Sequence, residues 1–311
     1  MCWPQSPPIA VPVEGWFEVR SELTGAALHD FAVCGSHVVA LVANRENSEI
    51  VVSDRLGTVT SRLRLPVREQ FVTCAPSGTV AVGRNGARGT HAITMARLDA
   101  GISLRTVGGE RTFEGSLVRL GALQDGLYGL GNEGLWRYPE TNQVGLEQRA
   151  RLTSTLLNDP FLPTQLSMKS MGVVTVMNRP TITEIGDTGQ IKEAIPLRSR
   201  AIDKKVAELE PDEGSIVVVG SDPAKGKLYC VVSGFNLAQS ISVDEFGSNG
   251  DFLRSLALGT RRFPSLVVPA NSPNRVSNAS GFFAPSAVLA SGDYLYLAHR
   301  SPGVIMFYKL P

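Results

Sequence analysis

An all-β fold is predicted by three observations. Apolar residues alternate over short runs rich in Val, Leu, Ile and Thr, and Gly, Asn, Asp and Pro bound those runs. A hairpin whose turn carries Asp and Gly ahead of a strand ending in Leu or Val recurs along the chain. The first two occurrences sit in units that align: Phe31-Ala-Val-Cys34 matches Phe71-Val-Thr-Cys74 at an offset of 40, and Val38 to Ala43 matches Thr79 to Gly83. A repeat of about 40 to 50 residues, each a four-stranded antiparallel sheet, is the signature of a β-propeller.

Trp16 to Leu23 reads as a strand with no partner of its own. In the first unit Phe31 to Cys34 and Val38 to Ala43 lead to the hairpin Glu49-Ile-Val-Val-Ser-Asp54-Arg-Leu-Gly57, which runs on to Leu65. The second repeats this with Ala92 to Leu98, the turn Asp99-Ala-Gly101 and a strand to Val107. The third has its second strand at Gly126 to Gly131 and then Leu135 to Tyr138, with Pro139 and Asn142 replacing Asp-Gly before Leu152. The fourth has Val173 to Met177, then Thr181 to Ile185 with Asp187 and Gly189, ending at Leu197. Helical spacing occurs at Ala201 to Glu210, where Ile202, Val206 and Leu209 fall on one face ahead of Pro211, so one short helix is expected there. The fifth unit has Lys227 to Ser233 and Ser240 to Asp244, with Gly247 in the turn and a strand to Leu258. The sixth holds only Ala287 to Ala290, Tyr294 to His299 and Val304 to Leu310, three strands in place of four.

The missing outer strand of that unit is assigned to Trp16 to Leu23, which would remove the open edges of an unclosed array. The expected architecture is therefore one six-bladed β-propeller of four-stranded antiparallel blades over residues 14–311, closed by an N-terminal strand and preceded by a Pro-rich arm at 1–13. The Asp and Gly of the hairpins belong to turn chemistry, because Asp caps its own backbone and Gly takes positive φ without a steric cost.

Composition excludes several classes of function. The 311 residues carry 30 Lys+Arg against 29 Asp+Glu, a formal charge of +1, and 43% are apolar. With no long basic block, the chain lacks the clustered positive footprint that nucleic-acid binding needs. The longest apolar runs, such as Val38 to Ala43 and Ile216 to Val219, are far short of the roughly 20 residues that span a bilayer, so no membrane span is expected. Met1 to Glu14 lacks a basic n-region and a long apolar h-region and is read as an arm, not a signal peptide. A cytoplasmic monomer is the expectation, exported if the start has been trimmed. Cys2, Cys34, Cys74 and Cys230 form no CxxC pair and are too sparse for a disulfide framework, so they are read as buried thiols.

The stretch from Ala43 through Asn44-Arg45-Glu46-Asn47-Ser48-Glu49-Ile50-Val51-Val52-Ser53 to Asp54-Arg55-Leu56-Gly57 resembles the blades of six-bladed NHL-type propellers. Those blades read as a strand, an Asn- or Gly-bearing loop, and a strand with an Asp-x-x-Gly hairpin. The resemblance covers most of residues 16–311 and implies the six-bladed fold. The wider superfamily it implies holds interaction modules, sugar-lactone hydrolases and strictosidine-synthase-like enzymes, so the fold alone transfers no function.

In a propeller the loops between second and third strands share one face with the connections between blades. The former hold Asn44 and Arg45, Arg84 and Asn85, Asn132 and Glu133, Asn178 and Arg179, Asn236, and His299 with Arg300. Arg presents a planar fork of donors suited to carboxylate or phosphate, so an Asn/Arg ring at the channel mouth points to an anionic small molecule or an acidic peptide. The connections between blades add Asp30, Arg68, Glu69, Glu110, Asp159 and the acidic run 208–213. No cofactor is expected on this reading. In the alternative, a lactonase- or esterase-like hydrolase, the resemblance implies a channel-bound divalent cation such as Ca²⁺ held by a Glu and Asn or Asp ligands from different blades; Glu69, Asn132 and Asn178 are the candidates for those roles, and no family motif surrounds them. Gly129-Leu-Gly131-Asn-Glu-Gly134 fits GxGxxG but is followed by a strand where a dinucleotide fold needs a helix, and no GxSxG, HExxH or Walker motif occurs. With no nucleophile or acid–base pair to name, a non-catalytic binding propeller is the favoured expectation.

Overall fold

A computed structural model describes residues 6–99, 103–123, 126–131, 134–138, 147–150, 171–175, 180–185, 191–208, 217–222, 225–232, 240–259, 287–299 and 303–311. The chain opens with β1 (Ile9–Val11) and β2 (Gly15–Glu18). The first blade is β3 (Ala27–Cys34), β4 (His37–Ala43), β5 (Ser48–Ser53) and β6 (Val59–Leu65). The second is β7 (Phe71–Cys74), β8 (Thr79–Asn85), β9 (Thr90–Asp99), β10 (Ser103–Thr106) and β11 (Arg111–Glu114). The third is β12 (Leu117–Leu123), β13 (Gly126–Gly131), β14 (Gly134–Tyr138) and β15 (Glu147–Ala150). A three-stranded sheet follows, β16 (Met171–Thr175), β17 (Thr181–Ile185) and β18 (Ile191–Pro196), and then the helix α1 (Arg200–Glu208). The next blade is β19 (Val217–Asp222), β20 (Lys227–Val232), β21 (Ser240–Gly247) and β22 (Phe252–Gly259), and the last strands are β23 (Ala287–Ser291), β24 (Tyr294–His299) and β25 (Val304–Lys309).

Within each sheet, chain neighbours pair antiparallel, except that β10 and β11 both pair with β9. The first strands of successive sheets lie side by side: β3 beside β7, β7 beside β12, β19 beside β23, and β23 beside β3. This is the propeller arrangement, with five blades of four or more strands and the three-stranded β16–β18 sheet. Helix α1 starts one residue earlier than the spacing suggests, and Ile202 and Val206 pack on Leu228 and Cys230. Among the described residues no helix is long and apolar enough to cross a membrane.

The burial pattern explains why the central strands read as continuous apolar runs. Successive side chains of a strand point to opposite faces, and each blade is covered on both. In β4, Val39 and Leu41 join Ile50 and Val52 against Val72, Val80 and Val82 of the second blade. Val38, Ala40 and Val42 face the other way, onto Tyr296, Ile305 and Phe307 of the last one. Equivalent clusters join the second blade to the third and the β19–β22 blade to β23–β25.

Buried polar side chains of third strands hold the connections between blades. Glu49 in β5 accepts from Ser21 Oγ at 2.7 Å and from the Glu22 amide at 3.0 Å. In β21, Asp244 accepts from Ser255 Oγ at 2.6 Å and from Ser199, whose hydroxyl also caps α1 by accepting from the Ile202 amide. In β9, His91 Nδ1 lies 2.7 Å from the Gly115 carbonyl and Nε2 lies 2.8 Å from Tyr138 Oη. The carbonyl can only accept, so Nδ1 carries the proton and Nε2 accepts from the tyrosine. Burial lowers the His91 pKa and keeps this neutral form. Gly129 makes room for the Tyr138 ring, because a Cβ there would stand 2.2 Å from its hydroxyl oxygen.

The amino-terminal residues straddle two sheet edges. Gly15–Glu18 pairs antiparallel with Val304–Phe307, with Gly15 opposite Phe307 and Glu18 opposite Val304. Within the stretch read as an arm, Ile9–Val11 pairs in parallel with Leu256–Leu258 and buries Val11. The strand is shorter than the Trp16 to Leu23 expected, since Ser21 and Glu22 leave it to reach Glu49.

The cysteine reading is corrected. Cys34 and Cys74 form a disulfide between the ends of β3 and β7, while Cys230 is a buried free thiol and Cys2 lies outside the described residues. Spacing along the chain did not reveal the pair because the two occupy the same position in neighbouring blades, 40 residues apart but 5.5 Å between Cα atoms. The outer strand of the second blade also departs from expectation. It is broken in two, with β10 on residues 96–99 and β11 on residues 90–93 of the same neighbour β9.

Candidate functional site

Charged side chains gather where the first three blades meet, at the end carrying the connections into the second and third. A bulge in β3 between Leu28 and Asp30 turns the Asp30 carboxylate toward the neighbouring blades. Asp30 is 4% exposed and accepts from the Val72 amide at 3.0 Å, and Arg119 Nη2 of β12 lies 3.1 Å from its other oxygen. One carboxylate thus ties three inner strands.

Glu69 lies beside this tie, on the connection into β7. Its amide donates to Ser48 Oγ at 2.7 Å, which draws the side chain to 1% exposure. Arg84 Nε stands 3.9 Å from Oε1, close enough to act through charge but too far for a hydrogen bond. Oε2 has no hydrogen-bond partner, and neither has Arg84 Nε. Burial raises the Glu69 pKa to about 7, with Arg84 opposing the rise and Glu110 adding to it. The guanidinium is held instead by Glu110, whose oxygens lie 2.8 and 2.7 Å from Nη2. Arg68, on the same connection, has its Nη2 3.5 Å from His29 Nε2.

The described members of the expected Asn/Arg ring divide by role. Asn44 Oδ1 accepts from the amides of Glu46 and Asn47, which is turn chemistry, and Arg45 is exposed. Asn85 grips Leu117, accepting from its amide at 2.6 Å and donating to its carbonyl at 2.8 Å, and so fastens the second blade to the third. Arg84 belongs to the charged cluster. His299 is 4% exposed at the end of β24, where its carbonyl accepts from Gly303. Asn132, Asn178, Arg179, Asn236 and Arg300 lie outside the described residues, as do Glu133 and Asp159. Of the three ligands of the cation alternative only Glu69 is described, and among the described residues no group of three His, Cys, Asp or Glu side chains is gathered as for a metal ion.

Arg119 is the member that loop comparison misses, because it sits in a strand. Its signal is a lone charge inside the apolar run Leu117-Val-Arg-Leu120, and a charge half-buried in such a run calls for a partner. The cluster offers two guanidinium forks, each engaged by a carboxylate, and one buried carboxyl that exchanges its proton near neutrality.

No family model matches the chain, and no curated protein matches it. Among solved structures it is similar to the glutaminyl cyclase of Myxococcus xanthus, at 8% identity over 97% of this chain and 98% of that one, with a TM-score of 0.44. It is also similar to the N-terminal domain of Nup159, at 13% identity over 98% and 99% of the two chains, with a TM-score of 0.44. A third is a Bacteroides fragilis protein described as a 6-phosphogluconolactonase, at 12% identity over 90% of this chain and 79% of that one, with a TM-score of 0.48. No role is transferred from any of them.

Proposed function

We propose that the sheets form a six-bladed, NHL-like ring closed by β2 on β25, and that it acts as a non-catalytic binding module. Its ligand is an anionic small molecule or an acidic peptide taken at the loop face. The observation that carries this reading is Arg84 set beside the nearly inaccessible Glu69, with Arg84 Nε and Glu69 Oε2 both lacking a hydrogen-bond partner. A structural ion pair would satisfy both partners, whereas here an acceptor and a guanidinium donor are left over. Thermal unfolding with EDTA, with Ca²⁺ and with a panel of sugar acids, phosphates and acidic peptides tests the reading. Binding at a hundredfold excess over Kd adds about 2.7 kcal/mol to stability. The expected result is indifference to EDTA and a rise in melting temperature with an anionic ligand. A loss of stability in EDTA that Ca²⁺ restores would replace this reading by the cation-dependent hydrolase.

The working compartment we propose is an oxidising one, reached by export. The Cys34–Cys74 bond supports it, since such bonds persist outside the reducing cytosol. Non-reducing intact-mass analysis of protein from its native source should show two cysteines shielded from alkylation until a reductant is added. Alkylation of both without reduction would return the protein to the cytoplasm.

A further inference from the structure

Glu110 differs from the other acids of the cluster in how it is carried. It ends the Val107–Glu110 excursion that splits the outer strand of the second blade into β10 and β11. Gly108 there has φ of 77°, and the space around the Cα of Gly109 is open. A left-handed glycine followed by a second one gives this stretch backbone freedom that the paired strands lack. Asp30 and Glu69 sit on inner elements and are almost wholly buried, while the Glu110 side chain is 37% exposed.

The grip of Glu110 on Arg84 is incomplete. Both carboxylate oxygens fall on one nitrogen, Nη2, and Nε is left without a hydrogen bond. A guanidinium meets an oxyanion best through two parallel N–H donors, and the Nη2 and Nε edge supplies such a pair. Glu69 Oε2, on the carboxyl facing Nε, is the second position without a hydrogen bond.

We propose that Glu110 is a displaceable internal ligand, and that a small oxyanion, a carboxylate or a sulfate- or phosphate-like group, replaces it across Nη2 and Nε of Arg84 while accepting a hydrogen bond from the neutral carboxyl of Glu69. The inference rests on the anion-binding reading above and names the atoms that do the binding. The charged groups facing Glu69 are Arg84 and Glu110. Loss of the Glu69 proton removes that donor and places a second negative charge beside the bound anion. Binding therefore weakens as pH rises through about 7, where that proton is lost.

Calorimetric titration with sodium sulfate and with sodium acetate, whose charges are constant between pH 6 and 8, tests this. Wild type, Glu110→Gln, Arg84→Lys and Glu69→Gln are compared at both pH values, with circular dichroism confirming that each is folded. Glu110→Gln should bind at least one probe about tenfold more tightly, since the competitor is gone, and Arg84→Lys about tenfold more weakly, since the fork is lost. Wild type should lose affinity from pH 6 to 8 and Glu69→Gln should not. Binding by wild type that Glu110→Gln does not tighten, or that Arg84→Lys leaves unchanged, overturns the internal ligand and leaves the anion-binding reading standing. No binding by any folded form overturns both.

Discussion

Replacing Glu69 by Gln should stabilise the protein at pH 8 by about 3 kcal/mol relative to the same comparison made at pH 4, on the basis of about 1.36 kcal/mol for each pH unit between the two pKa values. The carboxyl has an ordinary value of 4.5 and a value of about 7 in the folded chain, so the folded state binds the proton more tightly. Its contribution is fully present below pH 4.5 and is lost as pH rises through 7, where burial forces a carboxylate into a site that Arg84 only partly compensates. Gln has the same shape and no charge to lose. His91 titrates in the opposite sense. Its folded pKa is lowered, so its contribution is present above about pH 6.5, its ordinary value, and is lost as pH falls below it. Subtracting the Glu69→Gln profile from that of wild type cancels the histidine, and urea unfolding across pH 4 to 8 gives both curves. If the variant is less stable at pH 8, Glu69 works as a stabilising ion pair with Arg84 and the excess of burial over pairing is wrong.

Deleting residues 1–18 should produce the second large effect, a protein that unfolds at markedly lower temperature or self-associates. The deletion strips β1 from β22 and β2 from β25, which leaves two strands with unpaired edges. It also removes Val11 from the cluster shared by the last sheets and Phe17 from the one shared with the first blade. Burial of two such side chains is worth roughly 3 to 6 kcal/mol. The loss reaches the first blade directly, because Gly57 packs so closely on Phe17 that a Cβ there would lie 2.3 Å from the Phe17 Cβ. Thermal melting together with light scattering measures the outcome. A truncated protein that stays monomeric with an unchanged melting temperature would show that β23–β25 needs no fourth strand.

The parts of this fold that were legible in the sequence are those where one physical rule acts alone. Val38 to Ala43 and Ile50 to Val52 are buried on both faces, so their unbroken apolar runs could only be inner strands. Ile202 and Val206 at helical spacing could only be the packed face of a helix. Legibility failed where two partners meet through space. Cys34 and Cys74 stood at matching positions of aligned repeats, and the step from matching position to contact required knowing that the first strands of neighbouring blades lie side by side. The site shows the same limit in another form. Asn44 and Asn85 recur because Asn suits a turn and because it suits a ligand, and recurrence cannot separate the two uses. The hydrogen bonds do so: Asn44 holds its own loop and Asn85 the neighbouring strand, while Arg119, hidden in an apolar run, joins the charged cluster.

The pairing of residues 15–18 with 304–307 sets an order of events during biosynthesis. Residues 15–18 are made about 290 residues before the strand they pair with. At about 5 to 20 residues per second, translation leaves them waiting on the order of tens of seconds. Through that interval Trp16 and Phe17 have no sheet to join, because β25 has not been made. A nascent chain in this condition is a substrate for chaperones that shield exposed strands. Slow codons anywhere between the two stretches would prolong the exposure. The interval also favours exchange, since the free leading strand of one nascent chain can complete the last sheet of another on the same polysome. Expression yield should then depend on how quickly the stretch between residues 18 and 304 is made, a property of the message that the folded protein does not display.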